Sequence, residues 1–316
     1  MSDLQQLIQA SRLYYELGET QSGVAEILGV TRPQVSRLLK RARAEGVVEI
    51  RIVDDGSASP AVAEELRVRF GLAAVHLAPA LQGPPEISRR MIGRVGAALL
   101  RDVVRDGSVV GIGDGASISA LADSLAAEEP LHETGATVIP LCGGYWFTGP
   151  AREPFRRVAD GIGGIAMGLL APGLVDDPAT KRSLVAHAGV RRIVELWERL
   201  DVAAFGIGGP AWSAGVLGPD IATDLERSQA VGEVLVSPFD LDGRFVCEAL
   251  RDRTIAFDAR GLGRIGVRIG VAGGSSKVRP ILGALRGGMI TTLVTDQRTA
   301  EAVLALDRGA PREEIQ

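Results

Sequence analysis

Between Arg32 and Arg43 the chain places five positive charges and no acid within twelve residues. Laid on a helix, Arg32, Gln34, Ser36, Arg37, Lys40, Arg41 and Arg43 fall outside, and Val35, Leu38, Leu39 and Ala42 form an apolar stripe. The chemistry open to that outer face is contact with a polyanion. An arginine fork matches the two acceptors of guanine, a glutamine amide can pair bidentately with adenine, and the other cations can meet phosphates. Arg37 and Gln34 are the candidates for base contacts. A basic helix alone is equally compatible with the solvated face of a helical hairpin, so its neighbours decide.

Upstream, Val24, Ile27 and Leu28 follow the i, i+3, i+4 spacing of a short helix, and Gly29 lets the chain turn out of it. Thr31 with Gln34 three positions on spells a capping box for the basic helix. Pro33 lies in its first turn, where a missing N–H costs nothing. Residues 4–17 predict a preceding helix with Leu4, Leu7, Ile8, Leu13, Tyr14 and Leu17 on its apolar face. Together these form a helix-turn-helix whose basic helix suits a major groove. The candidate DNA contacts are Gln21, Thr31, Arg32, Gln34, Ser36, Arg37, Lys40 and Arg41. After Gly46, VVEIRIV (47–53) alternates as a strand does, either a wing or a link, and DDGSASP (54–60) marks a boundary. The expected domains are 1–55 and 56–316.

A second chemistry is legible in GIGDGASIS (111–119). Gly113 and Gly115 permit close approach of a ligand, and Ser117 and Ser119 sit where a helix begins. Free N–H groups and hydroxyls at a helix start make an anion site, with phosphate the obvious guest. A serine-capped strand-to-helix turn has the same spelling. The glycines do not follow the dinucleotide fingerprint, and no Walker lysine follows them. Lys277 opens another helix just after a strand, where a cation is unfavourable unless an anionic ligand offsets it. It is therefore a candidate phosphate or sugar contact. Tyr145, Trp146 and Phe147 either stack on a sugar ring or pack a subunit contact, and Arg152 is the nearest cation to them.

These loops need a sheet edge. Apolar runs at 109–113, 136–144, 201–209, 265–274 and 289–296 alternate with helical patterns at 60–70, 86–105, 155–166, 186–199, 276–285 and 299–306. Alternation of this kind predicts a mostly parallel sheet covered on both faces. Four strands end in glycines, and ligands of open α/β sheets bind at the carboxyl ends of strands. One pocket at one edge is expected.

Composition bounds the alternatives. With 316 residues, 46% apolar and 23% charged, the chain has room for two domains. Its net charge is −4, yet residues 1–53 hold seven basic and six acidic residues, so positive charge is local. Two cysteines, Cys142 and Cys247, suggest no disulfide framework and fit a reducing cytoplasm. His76, His132 and His187 lack metal-ligand spacing, so neither metal nor cofactor is expected. The opening MSDLQQL is not a signal peptide, and no run approaches the ~20 apolar residues of a membrane span.

The stretches RLYYELGETQSGVAEILGVTRPQVSRLLKRARAEGVVEIRI (12–52), VVGIGDGASISALADSL (109–125), VIPLCGG (138–144), FGIGG (205–209), AVGEVLVSPFDLDGRFV (230–246) and VAGGSSKVRPILGALRGGMITTLVTDQRTAEAVL (271–304) resemble the SorC family, the SorC/DeoR group of sugar-binding transcriptional regulators. The resemblance covers essentially the whole chain. It implies an N-terminal all-α helix-turn-helix domain of winged type. Behind it comes a C-terminal α/β Rossmann-like domain, with a mostly parallel sheet similar to phosphosugar isomerases. It implies a sugar or phosphorylated sugar effector that alters operator affinity, and a homo-oligomer, a tetramer built as a dimer of dimers. Residues Gly113–Ser119 match the family's phosphate-contacting loop, Ser117 keeping a hydroxyl where many members have threonine. Gly143, Gly144, Asp258 and Lys277 fall at further pocket positions. Asp114 stands where many members have a large or neutral residue, and Ala116 where many have arginine or another polar residue. An acid beside a phosphate loop is unfavourable, so an unphosphorylated sugar or polyol stands beside the phosphate ester as effector. Two other readings use the same residues. One is an isomerase-like enzyme with Asp114, Asp258 and Lys277 as acid–base groups. The other is a scaffold that binds DNA constitutively. No carboxylate–histidine pair lies in the glycine loops, which favours a regulator over an enzyme.

Overall fold

A computed structural model describes residues 3–49, 59–127, 130, 132–144, 153–209 and 219–309. The chain divides into two compact units, Met1–Asp55 and Gly56–Gln316. No helix among the described residues is long and apolar enough to cross a membrane.

The first unit holds α1 (Asp3–Ser11), which runs into a π-helical turn at Arg12–Glu16, then α2 (Gln21–Leu28) and α3 (Arg32–Ala44). Thr20 Oγ1 accepts from Gly23 N at 3.1 Å and starts α2. Gly29, at φ +65°, ends it in the left-handed conformation that costs glycine least. Ala10, Val24, Ala25, Val35 and Leu39 form the core, with Leu13, Tyr14, Leu28 and Leu38 at its border. The apolar face expected of the first helix is only half used: Leu7 is buried, whereas Leu4, Ile8 and Leu17 are exposed. Ile27 is exposed too, because Ala25 takes the inward position beside Val24. Residues 47–49 form no strand, and the rest of the expected strand lies outside the described residues.

The second unit contains α4 (Pro60–Phe70), β1 (Ala74–Ala78), α5 (Pro85–Val103), β2 (Val109–Ile112), α6 (Ala116–Ala126), β3 (Thr137–Pro140), α7 (Pro154–Ile162) and β4 (Ile165–Ala166). These are followed by α8 (Pro178–Ala186), α9 (Ala188–Trp197), β5 (Val202–Gly206), α10 (Pro219–Arg227), β6 (Gly232–Val234), β7 (Ser237–Phe239) and α11 (Glu248–Asp252). Last come β8 (Val267–Val271), α12 (Val278–Arg286), β9 (Thr292–Asp296) and α13 (Gln297–Asp307). The helix expected over 186–199 is α9, and His187, extended at ψ 134°, separates it from α8, which was not expected from the sequence.

Seven strands pair in parallel in the order β1-β9-β8-β5-β2-β3-β4, and β6 and β7 form a separate antiparallel hairpin. Both faces of the sheet are buried, and successive side chains sort between two cores. Val202 and Ala204 join Ile92, Leu100, Ile118, Leu121 and Val158 on the α5–α6–α7 face. Ala203 and Phe205 join Leu66, Trp197, Ile281, Leu282 and Val303 on the α4–α9–α12–α13 face. Helices α5 and α6 approach so closely that a Cβ at Gly93 would lie 2.5 Å from the Ala120 carbonyl carbon. From β2 the chain builds outward through β3 and β4, then returns to lay β5 on the other side of β2 and continues through β8 and β9. The strand order therefore reverses between β2 and β5, the place where such sheets open a crevice at their carboxyl ends.

Candidate functional site

Two surfaces carry chemistry, one in each unit. On α3, Arg32, Gln34, Ser36, Arg37, Lys40, Arg41 and Arg43 are all exposed. Arg32, Arg37, Lys40 and Arg43 make no ion pair with another described residue, so their charges are available to an incoming anion. Arg41 differs. Its guanidinium grips Asp3 at 2.6 and 3.1 Å and Glu45 at 2.9 Å, which ties α3 to α1 and draws it away from the phosphate role expected of it. The expected capping box of Thr31 and Gln34 is present, with Gln34 Oε1 accepting from Thr31 N at 2.7 Å. Thr31 Oγ1 donates to the same oxygen at 2.9 Å. A bidentate Gln34–adenine pair therefore costs this cap. Gln21 is half-buried at the first turn of α2 and shares a shallow depression with Thr20, Ser22 and Arg32.

In the second unit a cleft of about 350 Å³ opens at the strand-order reversal. Asp114, Gly115 and Ser117 reach it from the end of β2 and the start of α6, and Gly206–Gly208 from the end of β5. Gly273, Gly274, Ser275, Ser276 and Lys277 come from the end of β8, Ser88 and Arg89 from α5, and Glu233 from the β6–β7 hairpin. Gly115 at φ +113° and Gly274 at φ +99° each hold a backbone that other residues rarely adopt, immediately before a helical turn. Asp114 Oδ1 accepts from Gly115 N at 2.7 Å.

Glu233 is fixed by its backbone and by its side chain. It exchanges backbone hydrogen bonds with Gly208 at 2.8 and 3.2 Å, and its Oε2 accepts from Val236 N at 2.8 Å. That bond closes a turn in which Leu235 and Val236 both have positive φ, 49° and 60°, a conformation costly for side chains of this kind. Burial pushes the Glu233 carboxyl above the usual range; the Val236 N–H and the Lys277 charge oppose this, and Asp114 adds to it. Burial pulls the Lys277 ammonium down, Glu233 opposes that, and Arg89 reinforces it. Among the described residues the cleft thus sets two carboxylates against two cations.

Residues 57–305 match the family model described as "Putative sugar-binding domain", and residues 2–49 the one described as "Homeodomain-like domain". The deoxyribonucleoside regulator of Bacillus subtilis (strain 168) is 31% identical over 306 residues, covering 94% of this chain and 96% of its own length. The sorbitol operon regulator of Klebsiella pneumoniae is 29% identical over 312 residues, covering 96% and 98%. The chain belongs to the SorC family of sugar-binding transcriptional regulators. The crystal structure of the full-length sorbitol operon regulator SorC from Klebsiella pneumoniae aligns with it at a TM-score of 0.78 and 27% identity, over 96% of this chain and 99% of that one.

Within this SorC-family fold the structure brings Asp114, Gly115, Ser117 and Lys277 to one cleft and leaves other expected residues elsewhere. Gly113 is buried in packing, where a Cβ would lie 2.7 Å from that of Phe205. Ser119 lies in the second turn of α6, its carbonyl accepting from Arg157 at 3.2 Å. Gly143 N donates to Ile255 O and Gly144 N to Ala171 O, so both serve chain pairing beyond β3. Asp258 caps the short 3₁₀ helix Ala259–Arg264 through Arg260 N at 3.1 Å and lines a second, smaller cleft with Lys181 and Ser237. Arg152, Tyr145, Trp146 and Phe147 lie outside the described residues. Glu233, Ser88 and Arg89 were missing from the sequence expectation. The glycines and serines of FGIGG and GGSSK mark strand ends, but nothing in SRRMIGR singles out Arg89 from its neighbours.

Proposed function

We propose that the chain is a cytoplasmic transcriptional regulator. It binds operator DNA through α3 and changes its DNA affinity when a sugar-type effector fills the cleft between the ends of β2, β5 and β8. The observation that carries this reading is one pairing on one chain: a helix-turn-helix whose basic helix keeps four cations without an ion pair to another described residue, and a cleft at the strand-order reversal of a sugar-binding-family domain. Arg37, Gln34 and Ser36 are assigned to base edges, and Gln21, Arg32 and Lys40 to backbone phosphates. Asp114, Gly115, Ser117, Glu233, Arg89 and Lys277 are assigned to the effector. The role is binding and not turnover, as the regulator names of the relatives support. The working form is assigned as a homo-oligomer, because two recognition helices must meet half-sites about one helical turn apart, ~34 Å; a tetramer, as a dimer of dimers, is what the family resemblance implies.

The test is fluorescence anisotropy on the DNA upstream of the protein's own coding region, at fixed salt, with and without a panel of sugars, sugar alcohols and their phosphates. Salt is held because phosphate contacts make affinity steeply salt-dependent. A several-fold change with one compound supports the reading. Specific binding that no compound alters favours a constitutive scaffold, and absence of specific binding removes the assignment of α3.

A further inference from the structure

The effector reading leaves open whether the cleft is built for an anion, and its own charges decide the matter. Asp114 Oδ1 accepts from Gly115 N at 2.7 Å. That N–H is one of the free donors of the turn that opens α6, where a phosphate oxygen can bind at a helix start. The chain's own carboxylate occupies it. A second carboxylate, Glu233, stands in the same cleft, and among the described residues Arg89 and Lys277 balance the pair. The Glu233 carboxylate acts on Lys277 through its charge, so part of that cation is already offset. A phosphate monoester brings between one and two further negative charges near neutral pH. At the other N–H groups of this turn it would still sit beside the Asp114 carboxylate. A hydroxyl both donates and accepts. Hydroxyls of a neutral ligand can donate to Asp114 and Glu233 and accept from Arg89, Lys277 and Ser117 without disturbing the charge balance.

Resting on the effector reading above, we infer that the cleft takes an uncharged polyhydroxylated ligand, a sugar or sugar alcohol carrying no phosphate, and that Asp114 is the residue that turns phosphate esters away. The inference is tested on the full-length chain by calorimetric titration and thermal unfolding. Sorbitol, erythritol and deoxyribose are each compared with their phosphate monoester, and inorganic phosphate serves as a probe that needs no knowledge of the sugar. The expected result is that a neutral member binds on the order of tenfold or more tighter than its ester, and that millimolar phosphate leaves the wild-type unfolding temperature unchanged. Asp114→Gly, its fold checked by circular dichroism, frees Gly115 N and removes the charge, and is expected to gain phosphate binding. Esters that bind the wild-type chain as tightly as their neutral partners overturn the ligand class and leave the effector reading standing. An Asp114→Gly chain that gains no phosphate affinity overturns the role of Asp114. If no member of either series shifts unfolding or DNA affinity, the effector reading falls and this inference falls with it.

Discussion

At the scale of single residues, the arginines and lysine of α3 divide by what they already touch. Arg37 is exposed, makes no ion pair with another described residue, and is assigned to a base edge. Arg37→Ala should cost on the order of 1–3 kcal/mol of specific binding and relax sequence preference, while Lys40→Ala should weaken all DNA alike and reduce the salt slope by about one. Arg41 is spent inside the unit: its fork holds the Asp3 carboxyl below the usual carboxylate range. Arg41→Ala should therefore lower the unfolding temperature of the helix-turn-helix and leave the salt slope nearly unchanged. Parallel anisotropy and unfolding measurements separate the three, and an Arg41→Ala slope change matching that of Lys40→Ala would overturn the distinction. Glu233 carries a pH prediction. Burial raises its folded value above the ordinary glutamate value of about 4.3. The folded state then holds the proton more tightly than the unfolded one. Stability from this group is complete below about 4.3 and is lost as pH rises through the raised folded value. Glu233→Gln still offers an acceptor to Val236 N and should flatten that limb, raising the unfolding temperature near neutral pH relative to wild type. A wild-type and variant pair with parallel pH profiles would contradict it.

At the scale of elements, the cleft depends on how β8 meets α12, and a buried pair in another strand-to-helix junction sets that. Asp296, the last residue of β9, accepts from Thr299 N at 3.0 Å and so caps α13. Its other oxygen takes the Thr299 hydroxyl at 2.6 Å and Gly274 N at 3.2 Å, and Gly274 N also reaches Thr299 Oγ1 at 2.7 Å. Both side chains are buried, at 5% and 2% exposure. Thr299→Val keeps the shape and removes the hydroxyl from this network, a loss of about 1–3 kcal/mol in a buried site. Because the broken bonds hold the loop that carries Ser276 and Lys277, effector affinity should fall while operator affinity in the absence of effector stays near wild type. Thr299→Ser should restore it, and a Thr299→Val chain with unchanged effector affinity would show that the loop holds itself. Neither residue was singled out from the sequence, where TDQRTA reads as an ordinary cap. The parallel sheet was legible because its strands are apolar runs ending in glycine, and the helix-turn-helix because its caps are local. Glu233 and Arg89 were not legible as a pair, since 144 positions separate them and only the return of the chain to β5 brings them together. Short pieces escaped for a related reason: β4 is two residues long and the β6–β7 hairpin turns through Leu235 and Val236, which carry no turn signature.

At the scale of the whole molecule, the residues assigned to DNA and those assigned to the effector lie in separate compact units of one chain. A ligand of one can influence the other only by favouring one of two arrangements of the molecule. Such coupling is reciprocal: if saturating effector weakens operator affinity tenfold, saturating operator weakens effector affinity tenfold, each about 1.4 kcal/mol. The same mechanism sets a ceiling. Operator affinity should fall to a plateau as effector rises, because a complex carrying both ligands exists, whereas direct competition would drive affinity down without limit. A neutral effector adds a third signature. Operator affinity itself should fall steeply with salt, since the cations of α3 displace counterions from DNA. The coupling factor should hardly move, since an uncharged ligand brings no ionic contact of its own to the difference between the two states. Titrating effector with and without saturating operator, at two salt concentrations, measures all three quantities. Equal factors from both directions, a plateau and a salt-independent ratio support a conformational linkage between cleft and recognition helix. An unbounded decline would mean that effector and DNA contend for the same surface, and the assignment of the cleft would have to move to the DNA-binding unit.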